Sequence, residues 1–163
     1  MRIRTGLEAA RIAHSAGRTV AFTLSESLCI GDRREGVRGM IDRHTVDILF
    51  GNEDEIRHLT DCDTLEDCIA VLSPKVGTLV VTRGADGALA AENGSVVEIG
   101  AAPVDKIVDT TGAGDLFAAG FLSARCRRHD LARSLEVGSL CAAEVISHFG
   151  ARPEKNLKHL VRL

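Results

Sequence analysis

Apolar residues recur along this chain in two rhythms, one helical and one extended. Leu7, Ala10, Ile12 and Ala13 follow helical spacing around Thr5 and Glu8, a pair with the separation of a capping box, and Gly17 marks the expected stop. The short apolar run "TVAFTL" at 19–24 predicts a strand, 33–42 a second helix, and "VDILF" at 46–50 a second strand that leads directly into the acidic stretch "GNEDEIRHL". Thr64 and Asp67 open another helix through "LEDCIAVL", broken by Pro74, and "TLVVT" at 78–82 supplies a third strand. Near-continuous apolar strands separated by helices are the pattern of a parallel sheet covered on both faces, so the class is α/β. After Gly84 the rhythm changes: "GALAA" and "SVVEI" predict a hairpin turning at "ENG". Helices over about 113–128 and 131–148 follow, then a short amphipathic one near 154–162. There is no internal repeat and no low-complexity linker, so residues 1–163 read as one domain.

Composition narrows the function classes. At 163 residues and 45% hydrophobic content the chain can bury a core, and its net charge of -3 argues against a nucleic-acid partner, whose phosphates call for a basic surface. The basic cluster "RCRRHD" at 125–130 reads as the charged end of the helix before it. No apolar run approaches the roughly 18 residues of a membrane span. The opening "MRIRTGLEAARIAHSAGR" lacks the apolar core of a signal peptide, so no membrane partner and a cytoplasmic location are expected. Cysteines at 29, 62, 68, 126 and 141 form no CxxC pair, which argues against a disulfide scaffold or structural zinc; Cys126 and Cys141, set in apolar helical patterns, are expected to be buried. The histidines show no metal-binding spacing, and the absence of Trp and Tyr weakens any base-stacking platform. Neither a GxxxxGK[ST] loop nor a GxGxxG fingerprint is present.

Chemistry concentrates in "VDTTGAGDLFAAGF". Gly112 and Gly114 let the main chain turn with its N–H groups exposed, and those groups fall at the positive end of the following helix, the outline of an anion cradle. A plainer reading of the same residues is a helix start capped by Thr110 or Thr111 with Asp115 in the first turn. Two further polar motifs, "GNEDE" at 51–55 and "TRGADG" at 82–87, fall at the carboxyl ends of predicted strands, where open α/β sheets bind ligands.

These motifs, in this order, resemble the ribokinase-like carbohydrate and nucleoside kinases of the PfkB family, with an adenosine-kinase-like flavour in "DILFGNEDE" and "GARP". The resemblance implies a partial three-layer α/β/α fold with a mainly parallel sheet, corresponding to the C-terminal, ATP-binding part of the kinase domain and lacking the N-terminal strands and lid. It implies ATP and Mg²⁺ as cofactors, K⁺ as a further ion, and a sugar or nucleoside as the small-molecule partner. Asp115 would be the general base, while Gly112, Ala113 and Gly114 present N–H groups to the transferring phosphoryl. Asn52 and Glu55 would organise Mg²⁺ through water; as a polar helix start they would instead form a capping box. Asp109 and Thr111 correspond to monovalent-cation positions. Thr82, Gly84 and Gly87 would lie on the nucleotide side, and Gly138, Ala142 and His148 near the adenine, although small residues of a buried helix explain Gly138 and Ala142 equally well. With few residues ahead of the first helix, the first strand is expected to expose an edge unless another chain covers it, so a non-catalytic assembly domain or homo-oligomer with a residual nucleotide site is the alternative.

Overall fold

The computed structural model describes residues 3–25 and 32–161. In chain order the elements are α1 (Ile3–Ser15), β1 (Ala21–Thr23), α2 (Asp32–Asp42), β2 (Ile48–Asn52), α3 (Glu53–Thr60), α4 (Leu65–Leu72), β3 (Thr78–Thr82), β4 (Ala88–Glu92), β5 (Ser95–Ile99), α5 (Ala113–Cys126), α6 (Leu131–Val145) and α7 (Leu157–Val161). A single 3₁₀ turn, Gly84–Asp86, separates β3 from β4. Cys29 and residue 162 of the expected last helix lie outside the described residues.

The strands form one sheet in the order β1-β2-β3-β4-β5. β1 and β2 are parallel, with Ala21, Phe22 and Thr23 opposite Ile48, Leu49 and Phe50. The ladder continues one residue past each end of β1, through Val20 and Leu24, which restores most of the expected 19–24 span. β3, β4 and β5 are joined by connections too short for a parallel crossover, so they run antiparallel. The β4–β5 turn takes Asn93 and Gly94 to φ 52 and 77, the left-handed pair that a two-residue hairpin prefers. The Thr78 hydroxyl donates to Glu92 Oε1 at 2.6 Å, bringing the start of β3 to the end of β4. The sheet is therefore mixed, its helix-linked part parallel.

By its contacts the chain divides into two compact units, one running to Val81 and including Ala91–Val96, the other made of Thr82–Ala90 and the residues from Val97 onward. In the first, Leu79, Val80 and Val81 of β3 are fully buried, as are Leu49 and Ile56. β1 is an edge strand whose Ala21 and Thr23 are exposed and whose Phe22 is half-buried, as expected of an uncovered edge. Two expectations fail here. α1 begins at Ile3, so Thr5 lies inside the helix instead of capping it, and Glu8 pairs with Arg11 at 2.7 Å. β2 begins two residues late, at Ile48; Asp47 before it gives its N–H to the Val20 carbonyl at 2.9 Å while its carboxylate accepts the Val20 N–H at 2.6 Å.

In the second unit α5 and α6 cross with glycine against glycine. A Cβ on Gly120 would lie 2.8 Å from the Val137 carbonyl oxygen and 3.0 Å from Gly138 Cα, so nothing larger fits without moving a backbone. Ala124, Val137 and Cys141 form a buried cluster there with Val161 of α7. Cys141 is buried as expected, but Cys126 is exposed: α5 ends at that residue and its apolar stripe ends with it.

Candidate anion-binding site

The site is built where α6 ends and α5 begins. Val108 and Asp109 both direct their N–H groups to the Ile146 carbonyl, at 2.8 and 3.4 Å, which pins the segment leading into α5 to the end of α6. Asp109 then holds two segments together: Oδ1 accepts the Thr111 N–H at 2.9 Å and Oδ2 the Gly150 N–H at 3.0 Å. The Thr111 side chain foremost, then the Gly150 and Thr111 N–H groups, lower its pKa to about 2, with His148 adding a smaller electrostatic pull. Donors on the ionised form have this effect on any carboxylate.

From Thr110 the chain turns sharply. The Ala113 N–H donates to the Thr110 carbonyl at 3.1 Å, and Gly112 takes φ 83, ψ 0, a left-handed conformation suited to glycine. Gly112 is the N-cap of α5, with no side-chain cap, which rules out the plainer reading in which Thr110 or Thr111 caps the helix. A Cβ on Gly112 would also lie 2.8 Å from the Ala151 methyl. Of the N–H groups expected to face an anion, that of Ala113 is thus engaged within the turn. Among the described residues, those of Gly114 and Asp115 have no acceptor in the chain. Gly114 is not forced by packing either: its Cβ direction meets nothing within 4 Å. Asp115 is exposed in the first turn of α5. Unpaired N–H groups, an open backbone and a carboxylate at one helix start are the components of a phosphate-handling site.

His148 stands beside this turn, not in it. Its Nδ1 lies 3.3 Å from the Phe149 carbonyl oxygen and its Nε2 3.4 Å from Glu144 Oε1. The Phe149 carbonyl, then the carboxylates of Glu144 and Glu154, raise its pKa against the opposing effect of burial. Gly138 is buried in the α5–α6 crossing, where a Cβ would lie 2.8 Å from the Phe117 carbonyl oxygen, and Ala142, half-buried, gives its carbonyl to the Ile146 N–H. Thr82 ends β3. The turn after it is closed by the Arg83 N–H to the Gly87 carbonyl at 2.8 Å, and Gly87 packs so closely that a Cβ would lie 2.0 Å from the Ile99 carbonyl oxygen. Gly84, by contrast, has open space around its Cβ position.

Asn52 and Glu55 belong to the first unit. They form a reciprocal capping box at the start of α3: Asn52 Oδ1 accepts the Glu55 N–H at 2.8 Å, and Glu55 Oε2 accepts the Asn52 N–H at 2.9 Å. Two residues around the α5 turn escaped the sequence reading: Glu144, buried within α6, and Ala151, whose methyl seats Gly112. The signal for Glu144 was available, since an acid three residues after Cys141 falls on the buried stripe of α6.

Solved structures share this architecture. The adenosine kinase from Sinorhizobium meliloti matches with a TM-score of 0.91 at 36% identity, over 96% of this chain and 48% of that one. A putative Ribokinase II from E. coli, in complex with ATP and Mg²⁺, matches with a TM-score of 0.82 at 26% identity, over 93% and 50%. The fold is ribokinase-like. The chain belongs to the pfkB family of carbohydrate kinases, whose model matches residues 1–157. Among curated relatives, the cytidine kinase of Thermococcus kodakarensis is 37% identical over 121 residues, 72% of this chain and 42% of its own length. The chain spans less than half the length of such relatives.

Proposed function

We propose that this chain is the nucleotide-side half of an ATP-dependent kinase that transfers a phosphoryl group to a hydroxyl of a sugar or nucleoside. The observation that carries the reading is the start of α5, where the Gly114 and Asp115 N–H groups lack acceptors in the chain among the described residues and Gly114 leaves its surroundings open. Phosphoryl transfer is mainly alignment and stabilisation of oxygen charge, which fixed backbone donors at a helix N-terminus supply. Asp115 takes the proton from the acceptor hydroxyl as its oxygen bonds to phosphorus and ADP leaves. An exposed carboxylate is a weak base, and it serves here by orienting the hydroxyl and accepting its proton late.

Mg²⁺ is a hard cation that takes oxygen ligands and keeps several waters. The residues fit that role: Asn52 Oδ1 and Glu55 Oε2 each accept a single N–H, and among the described residues Glu55 Oε1 has no hydrogen bond within the chain. Asn52 and Glu55 would hold the ion through water; among the described residues no group of three or more His, Cys, Asp or Glu that could hold a metal occurs. When bound, the ion neutralises phosphate charge. Asp109 and Thr111 are the candidates for K⁺. The names of two relatives, cytidine kinase and adenosine kinase, favour a nucleoside as acceptor. Among the described residues no helix is long and apolar enough to cross a membrane, which accords with a cytoplasmic enzyme.

Titration calorimetry with ATP and Mg²⁺ tests the binding claim on this chain, and absence of heat and of thermal stabilisation at millimolar nucleotide refutes it. The exposed β1 edge favours a second reading, an assembly domain that pairs through that strand. A strictly monomeric chain in ultracentrifugation across concentration counts against it.

A further inference from the structure

We infer that Glu144 is a positioning residue for the anion-binding turn, acting through the loop between α6 and α7. The inference rests on the proposed role of that turn and assigns a task to a buried acid that the proposed chemistry does not use.

Glu144 has a side chain only 2% exposed. An ionised carboxylate so placed is costly unless its oxygens find donors. Its Oε1 accepts two consecutive main-chain N–H groups, Glu154 at 3.0 Å and Lys155 at 2.9 Å, and lies 3.4 Å from His148 Nε2. One oxygen therefore meets the loop at both ends: it accepts the 154–155 N–H groups where the loop approaches α7 and lies within ion-pair distance of His148 where the loop leaves α6. Among the described residues the second oxygen, Oε2, is buried and without a hydrogen-bond partner, as is His148 Nε2. Such atoms are rare in folded proteins.

Between those two points the loop makes the contacts that shape the turn. The Gly150 N–H donates to Asp109 Oδ2, and Ala151 lies against the only face of Gly112 that a side chain could occupy. Asp109 in turn holds the Thr111 N–H one residue before Gly112. The path from Glu144 to the Gly114 and Asp115 N–H groups is therefore continuous, through loop, Asp109 and Gly112.

The test uses the 163-residue chain with Glu144→Asp, Glu144→Gln and Glu144→Ala, reading amide hydrogen exchange without nucleotide and ATP·Mg²⁺ affinity by calorimetry. Glu144→Asp is one methylene too short to reach both N–H groups, whereas Glu144→Gln keeps an oxygen that can accept both. Glu144→Asp and Glu144→Ala are expected to speed exchange at Gly150 and Thr111, and to weaken ATP·Mg²⁺ binding, each by about tenfold, a size typical of coupling through a packed network. Glu144→Gln is expected to remain within about threefold of wild type in both, with core amides of β3 unchanged in every folded variant. Faster exchange at Glu154 and Lys155 with Thr111 and Gly150 unaffected overturns the inference, as does equal loss in Glu144→Gln and Glu144→Asp. If Glu144→Ala does not fold, the Asp and Gln variants decide. If wild type binds no ATP·Mg²⁺, the proposed function falls and exchange at Thr111 and Gly150 alone decides the positioning.

Discussion

Gly114→Ala separates stability from function by sign. Gly114 is the second residue of α5 and, unlike Gly112, does not have a positive φ. A methyl group there meets no atom within 4 Å beyond its chain neighbours and the backbone of its own helix, so alanine enters without strain. Exchanging glycine for alanine in a helix gains up to about 1 kcal/mol, with somewhat less expected in the first turn, so about 0.5 kcal/mol is a fair value. For a chain of this size that raises Tm by roughly 1–2 °C.

Binding should move the other way. The methyl occupies space beside N–H groups that have no acceptor in the chain among the described residues, and pushes a phosphate oxygen away from them. A hydrogen bond to a charged group contributes about 1.5–3 kcal/mol, so losing one weakens ATP·Mg²⁺ binding by roughly 10- to 100-fold. Differential scanning calorimetry gives the first quantity and isothermal titration the second. A raised Tm with unchanged ATP affinity would refute the reasoning, because the open space at Gly114 would then have no connection to a phosphate.

Gly112→Ala should destabilise by about 1–3 kcal/mol, since it combines a left-handed φ with a 2.8 Å approach to the Ala151 methyl; a chemical melt that leaves the midpoint in place refutes this. Asp115→Asn, placed in a full-length kinase containing this half, should keep ATP binding while lowering kcat by at least about 100-fold. Near wild-type turnover with phosphoryl transfer rate-limiting removes Asp115 from the chemistry. His148 faces the Phe149 carbonyl, Glu144 and Glu154, and its pKa is raised from 6.5, so its contribution to stability is full below that value and is lost as pH rises through the folded pKa. His148→Gln should flatten the decline of Tm over that window, and an unaltered decline assigns the effect elsewhere. Asp109 has the opposite sign: its pKa lies at about 2, so its contribution is present above the ordinary value of 3.8 and is lost as pH falls through about 2, a loss that Asp109→Asn should abolish in an acid titration.

Much of this was legible because local chemistry and fold agree. "TLVVT" reads as a buried strand and forms β3 at its expected bounds, and Thr64 caps α4 by accepting the Asp67 N–H as its spacing implies. The Asn52–Glu55 spacing likewise yields the box it encodes. Thr5 and Glu8 have the same spacing without the same outcome, because the helix already exists two residues earlier and Glu8 has Arg11 within reach. The α5 start falls at Ala113 as expected, and only the plainer reading of its cap fails. Thr110 and Thr111 are good caps, but the positive φ of Gly112 moves the helix start past them, and Thr111 gives its N–H to Asp109 instead. Other contacts of the site depend on partners distant in sequence: Gly150, whose N–H Asp109 accepts, is 41 residues away.

The glycines of the second unit show where sequence and structure each stop explaining. Gly87 is required by the Ile99 carbonyl, Gly112 by its φ and by Ala151, and Gly120 and Gly138 by the closeness of α5 to α6. In each case a neighbouring atom of the chain excludes a side chain. Gly114 has no such neighbour and no special φ, yet it costs helix stability in the first turn of α5. A residue that weakens its own element without an internal reason points to a reason outside the chain. At a helix N-terminus, beside Asp115 and N–H groups that have no acceptor in the chain among the described residues, the proposed anion would be that reason.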